Sequence, residues 1–215
     1  MSDRAEVAAA CRRLAAEGLL IGTAGNVSVR TGDRVAVTAT GAVLAEITAE
    51  QVTVVDTAGA VVAGELAPTS ELDLHLGVYR RYGASAVVHT HAPMATALSC
   101  VLDEVPCVHY QMLALGGSVR VAPYATFGTP ELAESVLAAL DGRAVALLAN
   151  HGAVTHADTL DRAVEHALLL EWACGVYWRA AALGTPRALD ERQQAAVIEA
   201  AIARQYGTTR KAERR

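Results

Sequence analysis

The stretch Val87-Val88-His89-Thr90-His91-Ala92-Pro93 limits what this chain can become more than any other. An apolar run leads straight into two histidines spaced two residues apart. On a strand, alternate side chains share a face, so His89 and His91 project together where the strand ends and Pro93 opens the next element. Two imidazoles on one face are half a metal site. A second apolar run, residues 144–149, ends in Asn150-His151-Gly152 and offers a third imidazole from another strand end. Three histidines leave one coordination position open, the arrangement of a catalytic zinc rather than a structural one. The competing reading is two unrelated strand ends whose rings face solvent.

The flanking pattern is that of an α/β chain. Residues 3–17 read as a helix rich in Ala and Leu, with Asp3 as its cap and Gly18 as its stop. Residues 27–30 and 34–38 alternate about the turn Thr31-Gly32-Asp33, and residues 52–56 turn back through Ala58-Gly59 into Val61-Val62, which predicts an antiparallel meander. Pro68-Thr69-Ser70 opens a helix, with Ser70 and Asp73 at capping-box spacing and Leu72, Leu76 and Tyr79 as its inner stripe. Gly83 ends it. After the histidine strand come a helix at 93–100, a strand at 119–122 and a helix from Pro130, with Thr129 as N-cap and Gly142 as its stop. The strand at 144–149 continues past Gly152 into 153–155, and helices follow at 160–183 and 190–206. With no internal repeat or linker, the expectation is one α/β domain over residues 1–215, its sheet covered by helices, with a mobile tail from about 207.

Composition narrows the function. A net charge of −5 supplies no basic field for nucleic acid or an anionic membrane. No stretch is apolar enough to span a bilayer, and Asp3 and Glu6 argue against a secretion signal. Cys11, Cys100, Cys107 and Cys174 show no C-x-x-C spacing and read as buried free thiols, as in the cytoplasm. The short basic end at 210–215 reads as a frayed tail.

Three small turns carry candidate binding groups: 22–26, 38–41 and 68–71. Glycines let backbone amides approach an anion closely. Glu71, placed in the first turn of its helix beside Thr69 and Ser70, suits a phosphate pocket with an acid/base next to it; ordinary helix capping explains the same residues. His75 and His166 fall inside helices, as structural or surface residues, and His156 in a solvated turn. His109 either orients Tyr110 or simply packs. Trp172 and Trp178 read as packing residues.

Together these pieces resemble the class II aldolase/adducin family, in its L-fuculose-1-phosphate aldolase branch. The resemblance spans nearly the whole chain. It rests on Gly22-Thr23-Ala24-Gly25-Asn26-Val27-Ser28, Thr40-Gly41, Thr69-Ser70-Glu71, His89-Thr90-His91, His109-Tyr110, the stretch from Ala122 through Tyr124 and Phe127 to Thr129, and Asn150-His151-Gly152. It implies a single domain with a mostly antiparallel central sheet and helices on both faces, and fourfold tetramers with shared active sites. It implies one Zn2+ per subunit on His89, His91 and His151. Asn26, Thr40, Gly41, Thr69 and Ser70 would bind the substrate phosphate, and Phe127 would shape the aldehyde side. Glu71 would transfer protons, joined by Tyr110 from the neighbouring subunit and by Tyr206 on a tail that closes over the substrate.

The implied reaction is retro-aldol cleavage of L-fuculose 1-phosphate to dihydroxyacetone phosphate and L-lactaldehyde. No lysine sits at these positions for a Schiff base, so the metal route is the supported one. The alternatives are another deoxy-ketose 1-phosphate, a pentulose-phosphate 4-epimerase, a methylthioribulose-phosphate dehydratase, or a non-catalytic adducin-like module. Three departures leave the sugar open: no proline in the turn 38–41, Thr69 in place of a commoner serine, and Asn150 where close relatives more often carry His.

Overall fold

The computed structural model describes residues 2–207. Helix α1 (Asp3–Ala16) is followed by the expected antiparallel meander: β1 (Asn26–Thr31), β2 (Arg34–Thr38), β3 (Val52–Asp56) and β4 (Val61–Ala63). Helix α2 (Leu72–Tyr82) then returns the chain to β5 (Ala86–Thr90), which pairs antiparallel with β1. Next come α3 (Pro93–Ser99), β6 (Glu104–Val105), β7 (Val119–Ala122) and α4 (Pro130–Ala139). The chain continues through β8 (Val145–Leu148), β9 (Gly152–Ala157), α5 (Leu160–Leu183) and α6 (Glu191–Arg204). Among the described residues, one nine-stranded sheet has the order β4-β3-β2-β1-β5-β9-β8-β7-β6. Among those strands, β7 and β8, joined through α4, run parallel, and the other described pairs are antiparallel.

Strand β5 lies at the centre of that order, and its five residues are all buried. Its alternation decides where the chemistry faces. Ala86 and Val88 pack into the core under α1, α3 and α5, while Val87 packs into the second core under α2 and α4. His89 follows Val87 by period two, so it faces α2. Across the ladder, Asn26 pairs with His89 and Ser28 with Val87. Cross-strand partners share a face, so Asn26 and Ser28 also look toward α2.

Several local expectations are corrected. Helix α2 starts at Leu72, with Glu71 in the N-cap position, and the Ser70/Asp73 capping box does not form. Ser70 is exposed, and the turn is instead held by Thr69, whose Oγ1 accepts from the Glu71 N–H at 3.3 Å. The N-cap of α1 is Ser2 and not Asp3. Cys100 is exposed, while the other three thiols are buried. His156 lies on β9 rather than in a turn; its Nε2 meets the Arg143 carbonyl at 3.1 Å and its ring stacks on Tyr82. Three elements carried no pattern in the sequence: the two-residue strand β6 and the 3-10 turns at Ala49–Gln51 and Tyr110–Leu115. The expected tail from 207, with its basic end, lies outside the described residues but for Gly207.

Candidate active site

The three histidines meet because two strand ends meet. His89 is fully buried, and its Nδ1 lies 3.0 Å from the Ala153 carbonyl oxygen. The carbonyl can only accept, so Nδ1 carries the proton and Nε2 presents a lone pair to the cluster. His91 Nε2 lies 3.0 Å from that atom. His151 comes from the turn between β8 and β9, where Asn150 adopts a left-handed conformation with φ 56°. Asn tolerates this region better than most residues. Gly152 lets β9 close onto the end of β5: a Cβ there would stand 2.2 Å from the Thr90 carbonyl oxygen.

The ligating atoms of the three rings all fall within 4.8 Å of one another. Tetrahedral zinc with bonds of about 2.0–2.1 Å needs donor nitrogens about 3.3 Å apart; His89 and His91 stand near that spacing, and the three rings together form a group that could hold such an ion. Protonation would oppose this. Burial, then the neighbouring His89 and His151, pushes His91 down to about 4. Burial, then His89, lowers His151 as well. Neutral imidazoles are the metal-binding form.

Glu71 faces the cluster with 6% of its surface exposed. Its Oε2 lies 3.2 Å from His89 Nε2 and its Oε1 3.7 Å from His151 Nε2. Asn26 Nδ2 donates to Oε2 at 2.8 Å. Oε1 is buried with no hydrogen-bond partner, an acceptor left facing the imidazoles. Burial works to raise the Glu71 pKa, but the neighbouring His89 imidazole, the Asn26 hydrogen bond and the more distant His151 and His75 rings outweigh it, so the carboxyl sits below its ordinary range. This is an ionised base held against a metal-ligand set.

The hydroxyl-bearing turns are stitched to one another. Ala39 bridges Pro68, the Thr69 N–H donates to the Thr38 carbonyl at 3.0 Å, and the Thr40 N–H donates to the Ala67 carbonyl at 3.0 Å. They wall a cleft of about 310 Å³ that Asn26, Thr40, Gly41, Thr69, Ser70, Glu71, His91, His151 and Phe127 all line. Thr23, Tyr124 and Asn150 line it too. At its back, Gly25 has φ 103°, and a Cβ there would stand 2.8 Å from the His89 carbonyl oxygen. The Glu171 carboxylate accepts from the Met94 and Ala95 N–H groups at 2.9 Å each, which anchors the start of α3, the helix that follows His91 in sequence.

Tyr110 and Tyr206 are not brought to this cleft within the chain. Their hydroxyls lie 3.3 Å apart, and both line a separate apolar cavity of about 550 Å³ between the 3-10 turn and α6. His109 packs its ring 4.5 Å from that of Tyr110 and 4.8 Å from that of Trp172. Met112, nearby, is buried in its own chain's core.

Sequence reasoning passed over one part of the site. His75 is fully buried and hydrogen-bonds Asn26 on one side and Ser28 on the other. The signal was present: Asn26 and Ser28 are two apart on a strand, and Glu71, His75 and Tyr79 recur every four residues, one face of a helix.

Residues 5–178 match the family described as "Class II Aldolase and Adducin N-terminal domain". The chain is 38% identical over 192 residues to a 5-methylthioribulose-1-phosphate/5-deoxyribulose-1-phosphate aldolase of Rhodospirillum rubrum, covering 88% of this chain and 86% of that one. It is also 38% identical over 192 residues to an L-fuculose phosphate aldolase of Escherichia coli, covering 88% and 89%. A solved structure of an L-fuculose 1-phosphate aldolase superposes with a TM-score of 0.88 at 34% identity, covering 92% of this chain and 95% of that one.

Proposed function

The chain belongs to the class II aldolase and adducin family, and from that premise we propose that it cleaves a ketose 1-phosphate between C3 and C4, releasing dihydroxyacetone phosphate and a short aldehyde. It is an aldehyde-lyase, as its curated relatives are. The observation that carries the substrate class is Glu71, set 3.2 Å from His89 at the floor of a cleft walled by hydroxyl-bearing turns.

His89, His91 and His151 would hold one zinc ion per chain. Bound there, zinc supplies Lewis-acid stabilisation for the negative charge that develops on the ketose. Thr40, Gly41, Thr69, Ser70 and the Asn26 amide hold the phosphate, which fixes the sugar's C3 and C4 relative to Glu71. As the C3–C4 bond breaks, its electron pair stays on C3, and Glu71, ionised at rest, takes up the proton that the C4 hydroxyl releases and delivers it to that carbon, so the carboxylate is regenerated and the protons balance. The C4 hydroxyl loses its proton as it becomes the aldehyde. Tyr110 and Tyr206 serve that oxygen from a neighbouring subunit of a homotetramer, since in their own chain they lie outside the cleft. Tyr124 and Phe127, both exposed on the rim, meet the aldehyde's carbon chain.

L-Fuculose 1-phosphate, which yields L-lactaldehyde, is the first reading. The Rhodospirillum relative favours a second, 5-deoxyribulose 1-phosphate, which yields acetaldehyde. Asn150, one of the three departures from the fuculose-type pattern, lines the cleft. The test is parallel incubation of the zinc-loaded protein with both sugars while dihydroxyacetone phosphate is followed. The higher kcat/KM assigns the substrate, and release from neither would overturn the proposal.

A further inference from the structure

Beneath the cleft runs a line of buried polar groups with a fixed direction. Tyr79 Oη lies 2.5 Å from Ser28 Oγ, and Ser28 Oγ lies 2.6 Å from His75 Nδ1. On its other side, His75 Nε2 lies 2.5 Å from Asn26 Oδ1, and Asn26 Nδ2 lies 2.8 Å from Glu71 Oε2. All five residues are buried. The far end sets the sense. A carboxylate only accepts, so Asn26 must turn its NH2 toward Glu71 and its oxygen toward His75. That oxygen also only accepts, so His75 carries its proton on Nε2. Its Nδ1 is then an acceptor, filled by the Ser28 hydroxyl, which accepts in turn from Tyr79. Burial keeps the Tyr79 phenol protonated, its pKa raised above the usual range. Every donor has one acceptor, and reversing any member would leave two donors or two acceptors face to face.

We infer that His75 is a positioning residue for the reaction: through Asn26 it fixes where the Glu71 carboxylate stands, and it sets which end of the Asn26 amide meets the cleft. Asn26 lines the cleft, and one of its two N–H groups holds Glu71. The other is left for an anion in the cleft. Asn26 therefore couples occupancy of the phosphate site to the position of the proton-transfer carboxylate. The line is not a proton wire, because an amide neither takes up nor gives up a proton at neutral pH and Asn26 interrupts any path from Glu71. Its work is orientation, the task of groups that back a reacting residue.

The inference rests on Glu71 acting as proposed above, so the test has an arm that needs no turnover. Long-range nitrogen–proton spectra of protein labelled at histidine read the tautomer, with the His75 signals identified by their loss in His75→Gln. The proton is expected on Nε2; a proton on Nδ1 would overturn the wiring even if the enzyme is active. If the tautomer is as stated but no ketose phosphate is cleaved by the wild type, the functional reading fails and the wiring stands.

The kinetic arm compares His75→Leu with His75→Gln, whose amide can still donate to Asn26. His75→Leu is expected to lose about tenfold or more in kcat with its metal content kept, the cost usual for a removed outer partner. His75→Gln is expected to recover most of that loss. Equal loss in both variants, or none in either, would overturn a positioning role. Should His75→Leu fail to fold, Ser28→Ala carries the test: it removes the donor to His75 Nδ1 and so loosens the imidazole behind Asn26, and it is expected to lower kcat several-fold, whereas unchanged kcat would contradict the inference.

Discussion

Glu71 stands where a helix start, a strand and two imidazoles converge, and its surroundings keep it ionised. Glu71→Gln preserves shape and the contact with Asn26 but cannot move a proton. Turnover is expected to fall about a hundredfold or more, with zinc content and thermal stability near the wild type. A fully active Glu71→Gln protein would reduce Glu71 to a helix-cap residue. His75 makes a second statement at this scale. Burial, opposed by the charge on Glu71, pushes it down to about 3, against about 6.5 for an exposed imidazole. Between those values the unfolded chain binds a proton that the folded chain refuses. The stabilisation from a neutral His75 is therefore complete above pH 6.5 and is lost as pH falls from 6.5 toward 3. Burial pushes His91, His151, His156 and His166 in the same direction. Urea unfolding in chelator at several pH values from 7 to 5 is expected to show stability falling with pH. His75→Gln should give a slope shallower by up to about 1.4 kcal/mol per pH unit; an unchanged slope would mean that His75 is not held neutral.

At the scale of elements, the site depends on how closely β9 approaches β5. A Cβ at Gly152 would overlap the Thr90 carbonyl, and the neighbour is backbone that cannot rotate away. Gly152→Ala should therefore displace His151, lowering stability by about 1–3 kcal/mol and zinc content below that of the wild type. Thermal unfolding and metal analysis together check this, and a normal value for both would contradict it. The same elements show what could be read in advance. The meander, β5 and α5 were legible because their signals are local: alternation, turn residues and helical periodicity. The histidine cluster was legible because two strands each end in their ligands. The start of α2 was misread, since local spacing favoured Ser70 while the Ala39–Pro68 bridge sets the turn. Strand β6 exists only through its pairing with β7 and left no pattern of its own. The line through His75 was hidden for the same reason. Its two halves lie on β1 and α2, and neither half means anything until the sheet places them face to face.

At the scale of the whole molecule, Tyr110 and Tyr206 touch each other and not the cleft of their own chain. Met112 packs inward, so of the uncharged segment that follows Val105 it is Tyr110, 42% exposed, that presents itself outward. A closed ring of heterologous contacts would carry both tyrosines to the next subunit's site. Subunits carrying Tyr110→Phe, mixed and exchanged with subunits carrying Glu71→Gln, should then regain activity that neither has alone. No recovery after proven exchange would return Tyr110 to its own chain or remove it from the reaction.

If His89, His91 and His151 hold the metal on which cleavage depends, zinc content and dihydroxyacetone phosphate release must fall together in His91→Ala. Wild-type protein is expected to carry about one zinc per chain, and His91→Ala to lose metal and cleavage together while keeping its fold. A folded His91→Ala protein that retains its zinc and still cleaves the sugar phosphate would contradict the account.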